Sequence, residues 1–283
     1  MRGPLLVLGA TGAIGSAVVA SALQAGAPVI AVARDADRLD ALRDRHPGAA
    51  LTTLAATVAS DADAATLAAQ LAALPGPALS GAIAAIRGSA ERGRLLDAPA
   101  DFLRRRLDED LLPHLFIARH LLPLLAPQPR SGYVLVGGPG ADYPWAGYGH
   151  HSIGAAALRM LARVLHDEAR TLPVRVQMLA VDAPARTTEH ARHACSQWPA
   201  AHAIAQAALD MLARHDLPAQ PLVRFPIASA MPGLTLSDDI DIAERRCTPV
   251  RQTRTAAPSA DDLSAARTLL RGLATSASAQ DHP

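Results

Sequence analysis

Short apolar runs alternate with longer stretches of Ala and Leu at helical spacing over the first 225 residues of the chain. The runs Pro4–Leu8, Val29–Ala33, Leu51–Leu54, Leu79–Ile86, Tyr133–Val136, Val174–Val181 and Leu222–Phe225 show no polar alternate face, which predicts strands buried on both sides. Between them the spacing predicts helices from about Ile14 to Ala25 and over Asp35–Leu42, Ala62–Leu74, Phe102–Leu125, Ile153–Arg170 and Ala200–Arg214. Gly26 stands where a helix-ending glycine is expected, Pro75-Gly76-Pro77 stops the Ala62–Leu74 helix, and Pro113 predicts a kink or break inside Phe102–Leu125. Strands apolar on both faces, alternating with helices, predict an α/β fold: a doubly wound parallel sheet covered on both sides.

The pattern changes after Phe225. Residues 1–225 read as one domain and residues 226–283 as an extension. Pro226–Pro258 is rich in Pro, Ser, Thr, Asp and Arg without periodicity. Ser259-Ala260-Asp261-Asp262 resembles a helix cap, and Leu263, Ala266, Leu269, Leu270 and Leu273 follow at the spacing of one short helix. Thr275–Pro283 reads as a disordered end.

Composition narrows the function classes. A net charge of +1 argues against nucleic acid or an anionic membrane as the main partner. Arg104, Arg105 and Arg106 form one tight basic run among Asp101, Asp108, Glu109 and Asp110, the pattern of a solvated helix face. The two cysteines form no disulfide framework, no export signal or membrane span is visible, and a cytoplasmic protein is expected. All 27 Lys+Arg residues are Arg, and Asn is absent too.

Gly9-Ala10-Thr11-Gly12-Ala13-Ile14-Gly15 lies between the first strand and the first helix. Glycines at these three positions allow a tight turn, close backbone approach and close helix–strand packing. The helix start then offers free N–H groups and a positive dipole end to a diphosphate. This segment resembles the cofactor loop of the short-chain dehydrogenase/reductase family, whose fold is Rossmann-like. The segment Phe116-Ile117-Ala118-Arg119-His120-Leu121-Leu122-Pro123-Leu124-Leu125 resembles that family's fourth-helix region, and the likeness spans about Gly3–Phe225.

The resemblance implies a dinucleotide held by Gly9, Thr11, Gly12, Ala13, Ile14 and Gly15, with Thr57 and Val58 after the third strand and Ala84 and Ala85 at the end of the fourth. NAD-specific relatives carry an acid where this chain has Ala33; Arg34 follows, then Asp35. A guanidinium there suits a 2′-phosphate, so NADP(H) is favoured over NAD(H). The other reading is an Arg34 paired on the surface with Asp35 or Asp37.

The active-site motifs depart from the family. Its Asn-Asn-Ala-Gly appears as Ala84-Ala85-Ile86-Arg87-Gly88, and the fifth strand ends Val136-Gly137-Gly138-Pro139 where a catalytic Ser is usual. Asp110 falls where the family's helix-bending Asn sits. Tyr148 is the nearby tyrosine, yet spacing from Gly138 and the pattern of the following helix place His151 in the Tyr slot and Ala155 in the Lys slot. A histidine ordinarily titrates near 6.5 and handles protons at neutral pH without a lysine, whereas a tyrosine titrates at about 10. His151, Tyr148 and Asp110 are therefore the candidate catalytic set, against the reading that they line a relict cleft.

Glu189, His190, His193 and Cys195 follow the sixth strand, where relatives carry a substrate lid; two histidines three apart are too few to assign a metal, and none is assigned. Asp182 with Arg186 is a further pair expected near the cleft. The resemblance implies an NADP(H)-dependent oxidoreductase with a non-standard active site, acting on a small carbonyl, hydroxyl or enol compound in a biosynthetic setting, as a homodimer or homotetramer. Two alternatives stay open: an isomerase, lyase or cyclase using proton transfer alone, and a non-catalytic nucleotide-binding or scaffold subunit.

Overall fold

The computed structural model describes residues 3–88, 91–187, 195, 198–214 and 218–226. The expectations for Glu189, His190, His193 and residues 227–283 lie outside these, and all described residues fall within the compact unit Met1–Ala243.

The strands are β1 Leu5–Leu8, β2 Val29–Ala33, β3 Leu51–Ala55, β4 Gly81–Ala84, β5 Ser131–Gly137, β6 Val174–Ala180 and β7 Leu222–Arg224. They form one seven-stranded sheet in the order β3-β2-β1-β4-β5-β6-β7, parallel throughout. The α-helices are α1 Ala13–Gln24, α2 Ala36–Asp44, α3 Asp61–Ala73, α4 Phe102–Asp110, α5 Leu112–Leu125, α6 Gly149–Glu168 and α7 Ala201–Ala213.

The strands β1, β2, β4 and β5 are apolar on both faces because both faces are covered, whereas the edge strands β3 and β7 are partly exposed. β1 sends Leu6 and Leu8 into a core with Ile117, Leu121 and Leu158 from α5 and α6. It sends Leu5 and Val7 into a second core with Val18, Leu39 and Ile204 from α1, α2 and α7. Strand order reverses between β1 and β4, and a crevice opens there at the carboxyl ends of the strands.

Two boundaries differ from the apolar pattern for physical reasons. The predicted Phe102–Leu125 helix is two helices meeting at Leu111, with Pro113 in the first turn of α5, where its missing N–H costs no hydrogen bond. Helix α6 starts at Gly149 rather than Ile153, because His150 and His151 are buried in its first turn although neither is apolar. No helix among the described residues is long and apolar enough to cross a membrane.

Candidate active site

The glycine loop divides its tasks as the spacing suggests. Gly9 has a φ of +72°, and a Cβ there would lie 2.4 Å from the Ala85 carbonyl oxygen. A Cβ on Gly15 would lie 2.1 Å from the Gly9 carbonyl oxygen, so the start of α1 packs directly on the turn. A Cβ on Gly12 would meet only the Gly9 carbonyl oxygen, at 3.3 Å, so no fold contact demands a glycine there. Gly12 caps α1 without a side-chain hydrogen bond, and no acid occupies the first turn. The first N–H groups of the helix thus remain available at the edge of a cleft of about 620 Å³.

That cleft gathers most of the expected cofactor residues. Gly9, Thr11, Gly12, Ala13, Ile14, Arg34, Thr57, Val58 and Ala85 line it, while Gly15, Asp35 and Ala84 do not. The Asp35 carboxylate instead caps α2, accepting from the Arg38 backbone N–H at 3.1 Å. Arg34 is exposed and forms no ion pair with Asp35, Asp37 or any other described residue. Arg38, one helical turn further on, also lines the cleft and donates to the Thr11 carbonyl at 2.6 Å. It is a cleft cation that the sequence reading passed over, although its spacing from Arg34 on a helix was visible.

Behind the cleft lies a smaller pocket of about 80 Å³, sharing with it Arg87, Gly138 and Pro139 among other residues. Asp110, His151 and Ala155 line this pocket. His151 is 4% exposed and directs Nδ1 to the Asp110 carboxylate at 3.5 Å. Its Nε2 is buried without a partner. Burial acts to raise the Asp110 pKa, but His151, the Gly88 backbone N–H and the nearby Arg87 charge outweigh it and hold the carboxyl below its ordinary range. Asp110 accepts a short hydrogen bond from Gly88 N–H, so the end of α4 is tied to the chain leaving β4.

Tyr148 lines neither pocket. It precedes α6 as its N-cap, with its ring stacked on His151 at a centroid distance of 6.0 Å and on Trp145 at 4.6 Å. The His150 ring packs on His151 at 4.2 Å and edge-on to Phe102 at 5.1 Å. Both His150 ring nitrogens lack partners, and burial, reinforced by His151 and Arg106, lowers its pKa from the ordinary value. His114 is also enclosed beside the site, with Nε2 3.3 Å from the Ile86 carbonyl oxygen; burial brings its pKa down to about 4.

Asp182, expected near the cleft with Arg186, sits between the cleft-lining Val181 and Ala183 but does not itself line the cleft. It pairs with Arg159 and Arg224, which both also pair with Asp142. This four-charge cluster ties the loop after β5 to α6, to the end of β6 and to β7. Arg186 instead pairs through its backbone with Pro199 and Ala201. The basic run at 104–106 is only partly a solvated face: Arg104 and Arg105 are exposed, while Arg106 is buried against Glu91, Glu109 and the Phe102 ring.

Trp145 and Trp198 are cleft residues that the sequence reading did not name, and Arg87, seen there only as part of an altered motif, also lines the cleft. The tryptophans are the only two in the chain, and both line the cleft.

The sequence profile of the short chain dehydrogenase family matches residues 4–194. Among solved structures, the chain is similar to a short chain dehydrogenase/reductase family oxidoreductase from Burkholderia thailandensis. The two share 24% identity over 80% of this chain and 91% of that one, with a TM-score of 0.69. It is similar as well to an NADPH-bound short chain oxidoreductase from Pseudomonas aeruginosa PAO1 containing an atypical catalytic center. There the identity is 22%, the coverage 74% of this chain and 89% of that one, and the TM-score 0.65. A short-chain dehydrogenase from Sphingobium yanoikuyae in complex with NADPH gives 22%, 80%, 89% and 0.65 for the same measures. No curated protein matches the chain.

Proposed function

From the premise that the chain belongs to the short-chain dehydrogenase family, we propose that it binds NADP(H) in preference to NAD(H) and interconverts a small carbonyl and hydroxyl compound, with His151 as the proton-handling side chain. The observation that carries this reading is the His151–Asp110 pair at 3.5 Å, set in the pocket that adjoins the cleft.

The residues present fit a dinucleotide. Gly12 leaves the approach to the uncapped start of α1 free, Ala33 brings no carboxylate, and Arg34 and Arg38 bring two permanent cations to the same wall. Gly9, Thr11, Gly12, Ala13 and Ile14 would hold the diphosphate, and Arg34 with Arg38 the 2′-phosphate. When bound, the cofactor supplies or accepts the hydride.

The chain's own residues supply the rest. Asp110, kept as a carboxylate, orients His151 through Nδ1. Nε2 then carries the proton that a substrate oxygen in the inner pocket receives in reduction and returns in oxidation. Ring contacts with Tyr148 and His150 help hold the imidazole in place.

The test is NADPH consumption, followed by nicotinamide absorbance, over a panel of small aldehydes, ketones and oxo acids. Turnover lost in His151→Gln and kept in Tyr148→Phe supports the assignment; the reverse result moves the role to Tyr148. The same histidine–carboxylate pair also suits proton transfer alone, and product formed without NADPH consumption would favour that second reading.

A further inference from the structure

We propose that this site selects an anionic substrate, a carboxylate-bearing compound with an apolar body, and that Arg87 is the side chain that selects it. The inference rests on the cleft being the cofactor and substrate site, and it names the substrate class.

Arg87 follows β4 and borders both the cleft and the inner pocket. A Cβ on Gly138 would stand 3.3 Å from its Nη1, so the glycine in the family's serine position leaves room for the guanidinium. Arg87 forms no hydrogen bond or ion pair with any described residue, leaving its fork of donors free. Arg87 is exposed to the cleft; partial desolvation lowers its pKa and the Asp110 charge raises it, and a guanidinium remains charged through the neutral range.

Asp110 feels its charge, but no acid among the described residues forms an ion pair with it. Asp110 is engaged by Gly88 N–H and faces His151. Glu109 is held by Arg106 at 2.9 Å, and Asp108 at the rim is exposed. An unpaired guanidinium facing a concave site is matched by a planar carboxylate, which it takes by two parallel hydrogen bonds. The same cleft also presents apolar side chains: Trp145, Trp198, Pro139 and Val181. Because Arg87 and His151 border the same pocket of about 80 Å³, the reacting oxygen and the carboxylate sit close together. A 2-oxo or 2-hydroxy carboxylate meets that requirement.

The test is calorimetric titration of 4-phenyl-2-oxobutanoate against 4-phenylbutan-2-one, in which a methyl group replaces the carboxylate. It is run with and without saturating NADP⁺, so that no reduction occurs. The carboxylate is expected to bind at least about tenfold more tightly, as a charge-assisted pair implies. Arg87→Met should erase that difference while leaving the affinities for the ketone and for NADPH unchanged, and Arg87→Lys should keep part of it. Equal affinities in the unaltered protein would overturn the proposal, as would a preference that survives Arg87→Met. A matching loss of NADPH affinity in Arg87→Met would assign the guanidinium to the cofactor instead. Failure of the cofactor reading shows separately, as absence of NADPH binding in protein that still prefers the carboxylate.

Discussion

His151, in the first turn of α6, faces Asp110, the last residue of α4, with Nδ1 and the carboxylate 3.5 Å apart. A carboxylate at a helix C-terminus is opposed by the helix dipole. Here the Gly88 N–H, His151 and the Arg87 charge offset that opposition. Asp110 thereby acts on the proposed acid without lining the main cleft, as a positioning residue. Asp110→Asn keeps the acceptor for Gly88 but loses the charge. It should lower turnover at saturating substrate by about a hundredfold, the scale of a lost acid–base function, with little change in KM or in NADPH affinity. A fall confined to KM would contradict the positioning role.

The glycine loop separates folding from binding. Gly15→Ala drives a Cβ into the Gly9 carbonyl, at 2.1 Å before relaxation, and should cost about 1–3 kcal/mol as overpacking does. Gly12→Ala meets only one backbone oxygen at 3.3 Å, so its Tm should stay near that of the unaltered protein while NADPH affinity falls at least about tenfold. Thermal melts with cofactor titrations check both; a Gly12→Ala protein that binds NADPH normally would remove Gly12 from the diphosphate site.

Acid should destabilise this fold through its buried histidines. Burial lowers the His114 pKa to about 4, against the pull of the Ile86 carbonyl and Asp110, whereas an unfolded histidine titrates near 6.5. Between those values the unfolded chain binds more protons. Stability from this residue is therefore complete above about 6.5 and is lost as pH falls toward about 4, by about 3 kcal/mol in all. His150, lowered by burial, works in the same direction, as does Asp110, whose carboxylate must be protonated in acid. His114→Gln keeps a donor for the Ile86 carbonyl and cannot titrate. Urea unfolding at neutral pH and near pH 5 should show a smaller acid loss in this variant; an unchanged loss would place the sensitivity elsewhere.

Tyr133 in β5 is fully buried, its hydroxyl has no partner, and burial raises its pKa. A buried hydroxyl without a hydrogen bond is a desolvation cost, so Tyr133→Phe should leave stability unchanged or raise it by about 1 kcal/mol. A clear fall in Tm would mean the hydroxyl is satisfied in solution.

The strands β1, β2, β4 and β5 were legible because both faces of each are covered, so their apolar runs stand out, and Pro113 marked the break between α4 and α5. The cofactor loop was legible for a different reason. Three glycines at fixed spacing each answer a separate geometric demand, visible as the close approaches at Gly9 and Gly15. The substrate end was not legible to the same degree. Arg87 was noticed only as a lost motif, since a sequence pattern shows that a cation is present but not that it faces a cleft. The first turn of α6 was hidden because His150 and His151 are buried without being apolar. The engagement of Asp182 was hidden because its partners Arg159 and Arg224 are distant along the chain, and only the fold brings them together.

The central claim is that this member of the family binds NADP(H) through Arg34 and Arg38. Parallel fluorescence titrations of NADPH and NADH, in the unaltered protein and in Arg34→Ala/Arg38→Ala, test it most directly. The account predicts NADPH binding at least about tenfold tighter than NADH, with the double substitution removing the difference by weakening NADPH. Equal affinities for the two, a preference untouched by the substitutions, or no binding of either would contradict it.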